Sequence, residues 1–251
     1  MKMEFCNLTG KTVLVTGASS GIGRQTAILV SRLGGKLFIT GRDEGKLKET
    51  FVHLEGEGHR MHTADLTDEK QLDEMVKSLP LLQGVVHGAG IIGPTPAKFI
   101  RQENIDKLFR INFEIPVLLT GKILLAKKLE NGSSILFFSS VVTKSPYFGG
   151  ALYASAKAAL ESYSQTLALE MTGRKIRSNI LSPALVNTPL LTNPAREGNP
   201  GIVDDSIQRY LEKYPMGIGE PEDVANLAAF LLADESRWIS GANIPLGAVI
   251  Q

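Results

Sequence analysis

The chain is short of cysteine, of histidine and of net charge, and each shortage closes off a class of function. A single cysteine, Cys6, excludes an internal disulfide and any cysteine-cluster zinc site. Only four histidines occur, at positions 53, 59, 62 and 87. His59 and His62 stand three apart where the sequence reads as the approach to a strand, which is poor metal geometry, so no metal site is expected. With 27 basic and 26 acidic residues the formal net charge is +1. Such a balance argues against binding nucleic acid or a membrane surface through gross charge. No stretch approaches 18 consecutive apolar residues and no N-terminal apolar segment of signal length is seen, so a cytoplasmic protein is expected. The 251 residues, 43% of them hydrophobic, can bury a full core and still fit one domain.

What is present is a rhythm. Short β-branched runs at 13–16, 36–40, 60–64, 84–87, 134–139, 177–181 and 243–246 read as strands. Between them lie helical patterns around 22–33, 44–56, 68–78, 103–129, 151–172 and 221–233. Alternation of this kind, without linker or repeat, predicts an α/β fold with a doubly wound parallel sheet in a single domain. Ligands of such sheets sit beyond the carboxyl ends of the strands. Asp65, Gly90, Ser140 and Pro183 each follow a predicted strand, which places them together.

The first strand runs into Thr16-Gly17-Ala18-Ser19-Ser20-Gly21-Ile22-Gly23 and then a helix. A strand, a glycine turn and a helix N-terminus make an anion site, because free N–H groups and the helix dipole point at a phosphate. Gly17 allows the tight turn, Gly21 lets a pyrophosphate approach the backbone, and Gly23 lets the helix pack close to the strand. The spacing is Gly-x-x-x-Gly-x-Gly, and no Gly-Lys-Ser/Thr follows, which argues against a P-loop nucleotidase.

Tyr153 and Lys157 stand four apart and so share a helix face. A neighbouring ammonium favours the phenolate, and a phenol so tuned can exchange a proton with an alcohol or ketone oxygen near neutral pH. Taken alone, the spacing favours a plain helix-surface Tyr/Lys pair; the glycine turn makes the chemical reading the stronger one.

Together these residues resemble the short-chain dehydrogenase/reductase family over nearly the whole chain, with 3-oxoacyl-carrier-protein reductases the nearest functional subclass. The resemblance implies a Rossmann-type fold and a catalytic set of Asn112, Ser140, Tyr153 and Lys157. It implies that Tyr153 moves the proton, Ser140 holds the substrate oxygen, Lys157 lowers the phenol pKa and binds the nicotinamide ribose, and Asn112 positions a water. Cofactor contacts are implied at Gly17, Ser19, Ser20, Gly21, Ile22, Gly23, Asp65, Leu66, Ala89 and Gly90, at Tyr153 and Lys157, and at Pro183, Ala184, Val186 and Thr188. A homo-oligomer, a tetramer, is also implied, with helices 103–129 and 151–172 at its interface.

Two departures stand out. His87-Gly88-Ala89-Gly90 replaces the family's Asn-Asn-Ala-Gly, and a buried structural role is expected for His87. The C-terminal stretch Pro245 to Gln251 lacks the common Asp-Gly-Gly. At the end of the second predicted strand, where an acidic residue would bind the ribose hydroxyls of NAD, stands Gly41 followed by Arg42. A guanidinium there can pair bidentately with a 2′-phosphate, so NADP(H) is the expected cofactor and NAD(H) the alternative. Asp43 could pair with Arg42 and blunt that preference. The segment 187–215, with Pro189, Pro194, Pro200 and Pro215, reads as a substrate lid. Leu185, Leu190, Leu191, Ile202 and Val203 would line it, with Tyr147 and Phe148 beside the pocket. The expected function is reduction of a ketone or 3-oxoacyl group. An NAD-dependent alcohol or sugar-alcohol dehydrogenase and a non-catalytic dinucleotide-binding regulator are the alternatives.

Overall fold

Val13 and Val15 pack on one face of their strand and Leu14 on the other, so this strand demands cover on both sides. The computed structural model, which describes residues 6–192 and 216–247, meets that demand with one seven-stranded sheet. Its strands are β1 (Thr12–Thr16), β2 (Lys36–Gly41), β3 (Arg60–Thr63), β4 (Leu82–His87), β5 (Leu129–Phe138), β6 (Arg177–Pro183) and β7 (Asn243–Leu246). They lie in the order β3-β2-β1-β4-β5-β6-β7, every neighbour parallel. This is the doubly wound, Rossmann-type sheet that the sequence predicts.

Helices α1 (Gly21–Arg32), α2 (Glu44–Phe51) and α8 (Pro221–Leu232) supply Ala27, Val30, Leu47, Ala228 and Leu231 to one core layer. On the other face, α3 (Glu69–Ser78), α5 (Ile115–Leu125) and α6 (Ala151–Glu170) supply Met75, Leu119, Ile123, Leu160 and Leu167. A short α4 (Gln102–Phe109) closes a third cluster through Leu108, which packs with Ile91 and Leu152. Strand order reverses beside β1, and the crevice that opens there between β1 and β4 lies at the carboxyl ends of the strands.

Two predicted helices need correction. The pattern at 103–129 is not one helix: α4 passes through a π turn at Arg110–Glu114 into α5, and the chain leaves the helix to begin β5 at Leu129. The π turn adds a residue to the repeat and rotates Asn112 into the protein, where it is fully buried. Likewise α2 stops at Phe51 rather than 56, because Gly56 and Gly58, both at positive φ, carry the chain round to β3. Four-residue α7 (Pro189–Thr192) ends the first described segment. The rest of the predicted lid, including Pro194, Pro200, Ile202, Val203 and Pro215, lies outside the described residues.

His87 ends β4, fully enclosed. Its ring stacks on Phe137 at 4.6 Å and 2°, and Nε2 lies 2.9 Å from Thr120 Oγ1. The single Thr120 hydroxyl proton goes to Pro116 O at 2.7 Å, so the His87 nitrogen is the donor and the ring is the Nε2–H tautomer. Burial pushes the imidazole pKa down to about 3. His87 thus has the buried, hydrogen-bonded structural role expected from its place in the sequence.

Candidate active site

A strand that ends in threonine and turns through glycine can tie its turn to a neighbour, and β1 does so. Thr16 Oγ1 accepts from Gly88 N (3.1 Å) and Ala89 N (3.3 Å), joining the turn after β1 to the turn after β4. Gly17 stands at φ +64, and a Cβ there would lie 2.6 Å from Ala89 N and Gly88 C. Only glycine fits both the angle and the space. Ser20 precedes α1 in extended conformation with its side chain making no cap bond, and the first turn of α1 carries no acid. The N–H groups of Gly21, Ile22 and Gly23 therefore keep the positive end of an uncapped helix open toward the crevice. Thr188 hangs over this turn: a Cβ on Gly21 would come within 3.2 Å of Thr188 Cγ2. Val186, Ala184 and Pro183 lead to it from β6, with Val186 bridged to Gly219 and Ala184 N bonded to Leu246 O at 2.9 Å.

At the outer end of the crevice, Arg24 was not foreseen as part of the site. Its guanidinium donates to Ser19 O (2.8 Å), Lys46 O (3.2 Å), Thr50 Oγ1 (3.0 Å) and Glu49 Oε2 (3.0 Å), locking the glycine turn to α2. The signal was only a basic residue one position past Gly23, where the helix faces α2. Ser19 is thereby held beside Gly41, whose Cβ would meet Ser19 Oγ at 3.2 Å. Arg42 is exposed next to them and makes no ion pair among the described residues. Asp43 does not pair with it. Its carboxylate instead caps α2, accepting from Lys46 N at 3.0 Å, with Lys46 Nζ at 3.7 Å, and that bond holds its pKa low. The expected blunting of Arg42 is thus corrected by a helix cap.

Asp65 follows β3; Oδ1 accepts from Thr67 N (2.9 Å) and Thr67 Oγ1 (2.7 Å), while Leu66 beside it is buried. His59, by contrast, is structural: Nδ1 accepts from Leu37 N at 3.1 Å and Nε2 meets Glu55 O at 2.9 Å. No group of metal-binding side chains occurs among the described residues.

The candidate proton-transfer groups gather at the inner end. Tyr153 and Lys157 share one face of α6, with Lys157 Nζ 5.6 Å from the centre of the Tyr153 ring. That ammonium donates to Phe138 O at 2.8 Å. Ser140, just past β5, donates its hydroxyl to Pro183 O at 3.4 Å and lies near enough to the Tyr153 phenol to oppose the upward shift of its pKa. Asn112 braces the neighbouring loop, Nδ2 donating to Ile91 O and Leu108 O at 3.0 Å and Oδ1 accepting from Ile91 N at 3.2 Å. A Cβ on Gly90 would lie 3.1 Å from Asn112 Oδ1 and 3.6 Å from Lys157 Nζ. Asn112 and Lys157 therefore border the space that Gly90 leaves.

Electrostatics depart from the sequence expectation at one point. A lowered Tyr153 pKa was expected from Lys157; burial instead raises the phenol, with the nearby Tyr147 phenol adding to the shift and the Ser140 hydrogen bond opposing it. Burial also brings the Lys157 ammonium down to about 8. Near neutral pH the phenol thus holds its proton and the lysine remains mainly charged.

The chain as a whole is similar to known proteins. Residues 17–247 match a family model described as enoyl-(acyl carrier protein) reductase. The chain belongs to the short-chain dehydrogenase/reductase family. A 3-oxoacyl-[acyl-carrier-protein] reductase FabG of Rickettsia felis is 31% identical over 239 residues, 95% of each chain. A glucose 1-dehydrogenase of Gluconobacter oxydans is 32% identical, covering 94% of this chain and 90% of that one. Among solved structures, the promiscuous reductase LugOII, described as catalysing keto-reduction at C1 during lugdunomycin biosynthesis, superposes with a TM-score of 0.84 at 27% identity. It covers 95% of this chain and 97% of its own. As a member of this family the protein is an oxidoreductase acting on carbonyl or alcohol groups with a nicotinamide dinucleotide. No helix among the described residues is long and apolar enough to cross a membrane.

Proposed function

We propose that this chain reduces a ketone or 3-oxoacyl group with NADPH, using Tyr153 as the proton donor. The observation that carries the reading is Lys157 set 5.6 Å from the centre of the Tyr153 ring on α6 and reaching the gap at Gly90. The trough fits a dinucleotide, since the uncapped start of α1 follows the Gly17–Gly21 turn and the missing side chain at Gly90 leaves room beside Asn112 and Lys157. When bound, the nicotinamide supplies the hydride. The chain's own residues do the rest. Ser140 donates a hydrogen bond to the substrate oxygen, and Tyr153 passes its proton to that oxygen as negative charge develops there. A half-buried phenol that keeps its proton near neutrality is in the correct state for reduction. Lys157 stabilises the phenolate left behind, and its bond to Phe138 O fixes where that charge sits. Asn112 keeps the loop after β4 out of the space by its bonds to Ile91.

Arg42 supports NADP(H): it is an exposed guanidinium without an ion-pair partner among the described residues, at the end of β2 beside Ser19. An NAD-linked sugar dehydrogenase is the second reading, favoured by the glucose 1-dehydrogenase relative and by serine rather than a base at position 20. Exposed Phe99, Phe148 and Met216 support an apolar substrate over a sugar phosphate. Leu118 and Leu125 on α5 and Leu169 on α6, all exposed, support a homo-oligomer, read as a tetramer, and a cytoplasmic location accompanies that reading. Fluorescence titration with NADPH and NADH tests the cofactor assignment. NADPH binding at least tenfold tighter supports it; tighter NADH moves the reading to alcohol oxidation.

A further inference from the structure

In the proposed reaction Ser140 must stay beside Tyr153, yet it lies past the last ladder bond of β5, Ser139 N to Leu181 O at 2.9 Å, with its hydroxyl 3.4 Å from Pro183 O. From there the backbone leaves the sheet in an extended residue, Ser140, followed by a single 3₁₀ turn at Val141–Thr143. Val141 and Val142 are buried and anchor this turn by packing, so the remaining hold on its ends is polar. Its bonds of its own are local: Val142 N to Ser140 Oγ (3.3 Å), Thr143 N to Ser140 O (3.3 Å) and Lys144 N to Val141 O (3.0 Å). It is tied to α6 by a long contact of Ser139 Oγ with Lys157 O at 3.5 Å and, more closely, by one carboxylate oxygen of that helix. Glu161 Oε1 accepts from Ser139 Oγ at 2.6 Å and from Thr143 Oγ1 at 3.0 Å. These are the residue before Ser140 and the residue three after it.

Glu161 follows Lys157 by four positions and Tyr153 by eight, so the three occupy one stripe of α6. Glu161 makes no ion pair among the described residues; two hydroxyl donors answer its charge. Hydrogen bonds to an ionised acceptor are the stronger kind, and two on one oxygen fix a loop in two places. We propose that Glu161 is a positioning residue that clamps the Ser140 loop to the helix carrying Tyr153 and Lys157, and so holds Ser140 beside Tyr153. This rests on the proposed roles of those residues. Loss of the clamp moves Ser140 without touching the cofactor trough, and displacement on the ångström scale costs up to about 100-fold in rate.

The test compares wild type, Glu161→Gln, Glu161→Leu and Ser140→Ala, and joins the last two in a double variant. NADPH is the reductant and S-acetoacetyl-N-acetylcysteamine the probe ketone. Glu161→Leu should lower kcat roughly 10- to 100-fold with KM and NADPH affinity within about twofold. Glu161→Gln, which keeps the accepting oxygen, should recover much of the rate. In the Ser140→Ala background, Glu161→Leu should cost less than about twofold more, because the residue acts only through Ser140. Independently of turnover, amide hydrogen exchange over 142–145 should quicken at least about tenfold in Glu161→Leu, with 13–23 unchanged. An unaltered exchange rate there, or a full additional rate loss without Ser140, overturns the proposal. Wild-type turnover by Ser140→Ala would instead overturn the reading of the site, while the exchange result still decides on the clamp.

Discussion

Replacing His87 by asparagine should flatten the acid limb of this protein's stability. The folded imidazole is held near 3 by burial between Phe137 and Thr120, with no charged side chain bonded to it, whereas an unfolded histidine titrates near 6.5. The unfolded chain therefore binds a proton that the folded chain refuses. Stability is complete above pH 6.5 and is lost as pH falls from there toward 3. Between pH 7.5 and pH 5.0 the loss from this one group is about 2 kcal/mol, from about 1.5 pH units below the unfolded value at 1.36 kcal/mol each. Urea unfolding of wild type and His87→Asn at those two pH values, at one fixed protein concentration, measures it. The quantity to compare is the change with pH, so packing lost on substitution cancels. Wild type should lose about 2 kcal/mol more than the variant. Equal losses in the two proteins would refute a buried neutral His87.

Three further outcomes follow from the same geometry. Arg42→Ala should weaken NADPH binding roughly 10- to 100-fold, as loss of a charge-assisted pair does, with NADH affinity within about twofold; parallel losses for both would sink the phosphate assignment. Gly17→Ala places a Cβ 2.6 Å from Ala89 N at φ +64 and should cost about 2 kcal/mol or more of stability, read by thermal melting; a wild-type midpoint would contradict the close packing of the two turns. Thr40 is wholly buried with Oγ1 lacking a hydrogen-bond partner, so Thr40→Val should stabilise by about 1 kcal/mol in urea titration. A destabilised Thr40→Val protein would show that the hydroxyl is satisfied.

Much of the site was legible because each signal is local. A β-branched run before Gly17 fixes the turn, and Tyr153 and Lys157 four apart fix a helix face. Position after a strand was enough to bring Asp65, Gly90, Ser140 and Pro183 to one edge of the sheet. Less legible was whatever depends on burial or on a partner distant in sequence. Periodicity cannot show the π turn that aims Asn112 inward, since one added residue barely disturbs the apolar pattern. Nor could adjacency decide Asp43, which an N-terminal helix position draws away from Arg42. The phenol pKa followed the depth of Tyr153 rather than the charge beside it, and depth is a property of the whole fold. Glu161 would have been visible only by extending the Tyr153–Lys157 spacing another turn.

The most direct test of the account is Tyr153→Phe, assayed for NADPH-dependent reduction of a 3-oxo thioester and titrated with NADPH. Removing one oxygen leaves the ring, the trough and Arg42 in place while deleting the proton donor. NADPH affinity within about twofold of wild type, with turnover below about one per cent, is the predicted result, as expected where a general acid acts only on the chemical step. Turnover above a few per cent would contradict the assignment of Tyr153 as that acid.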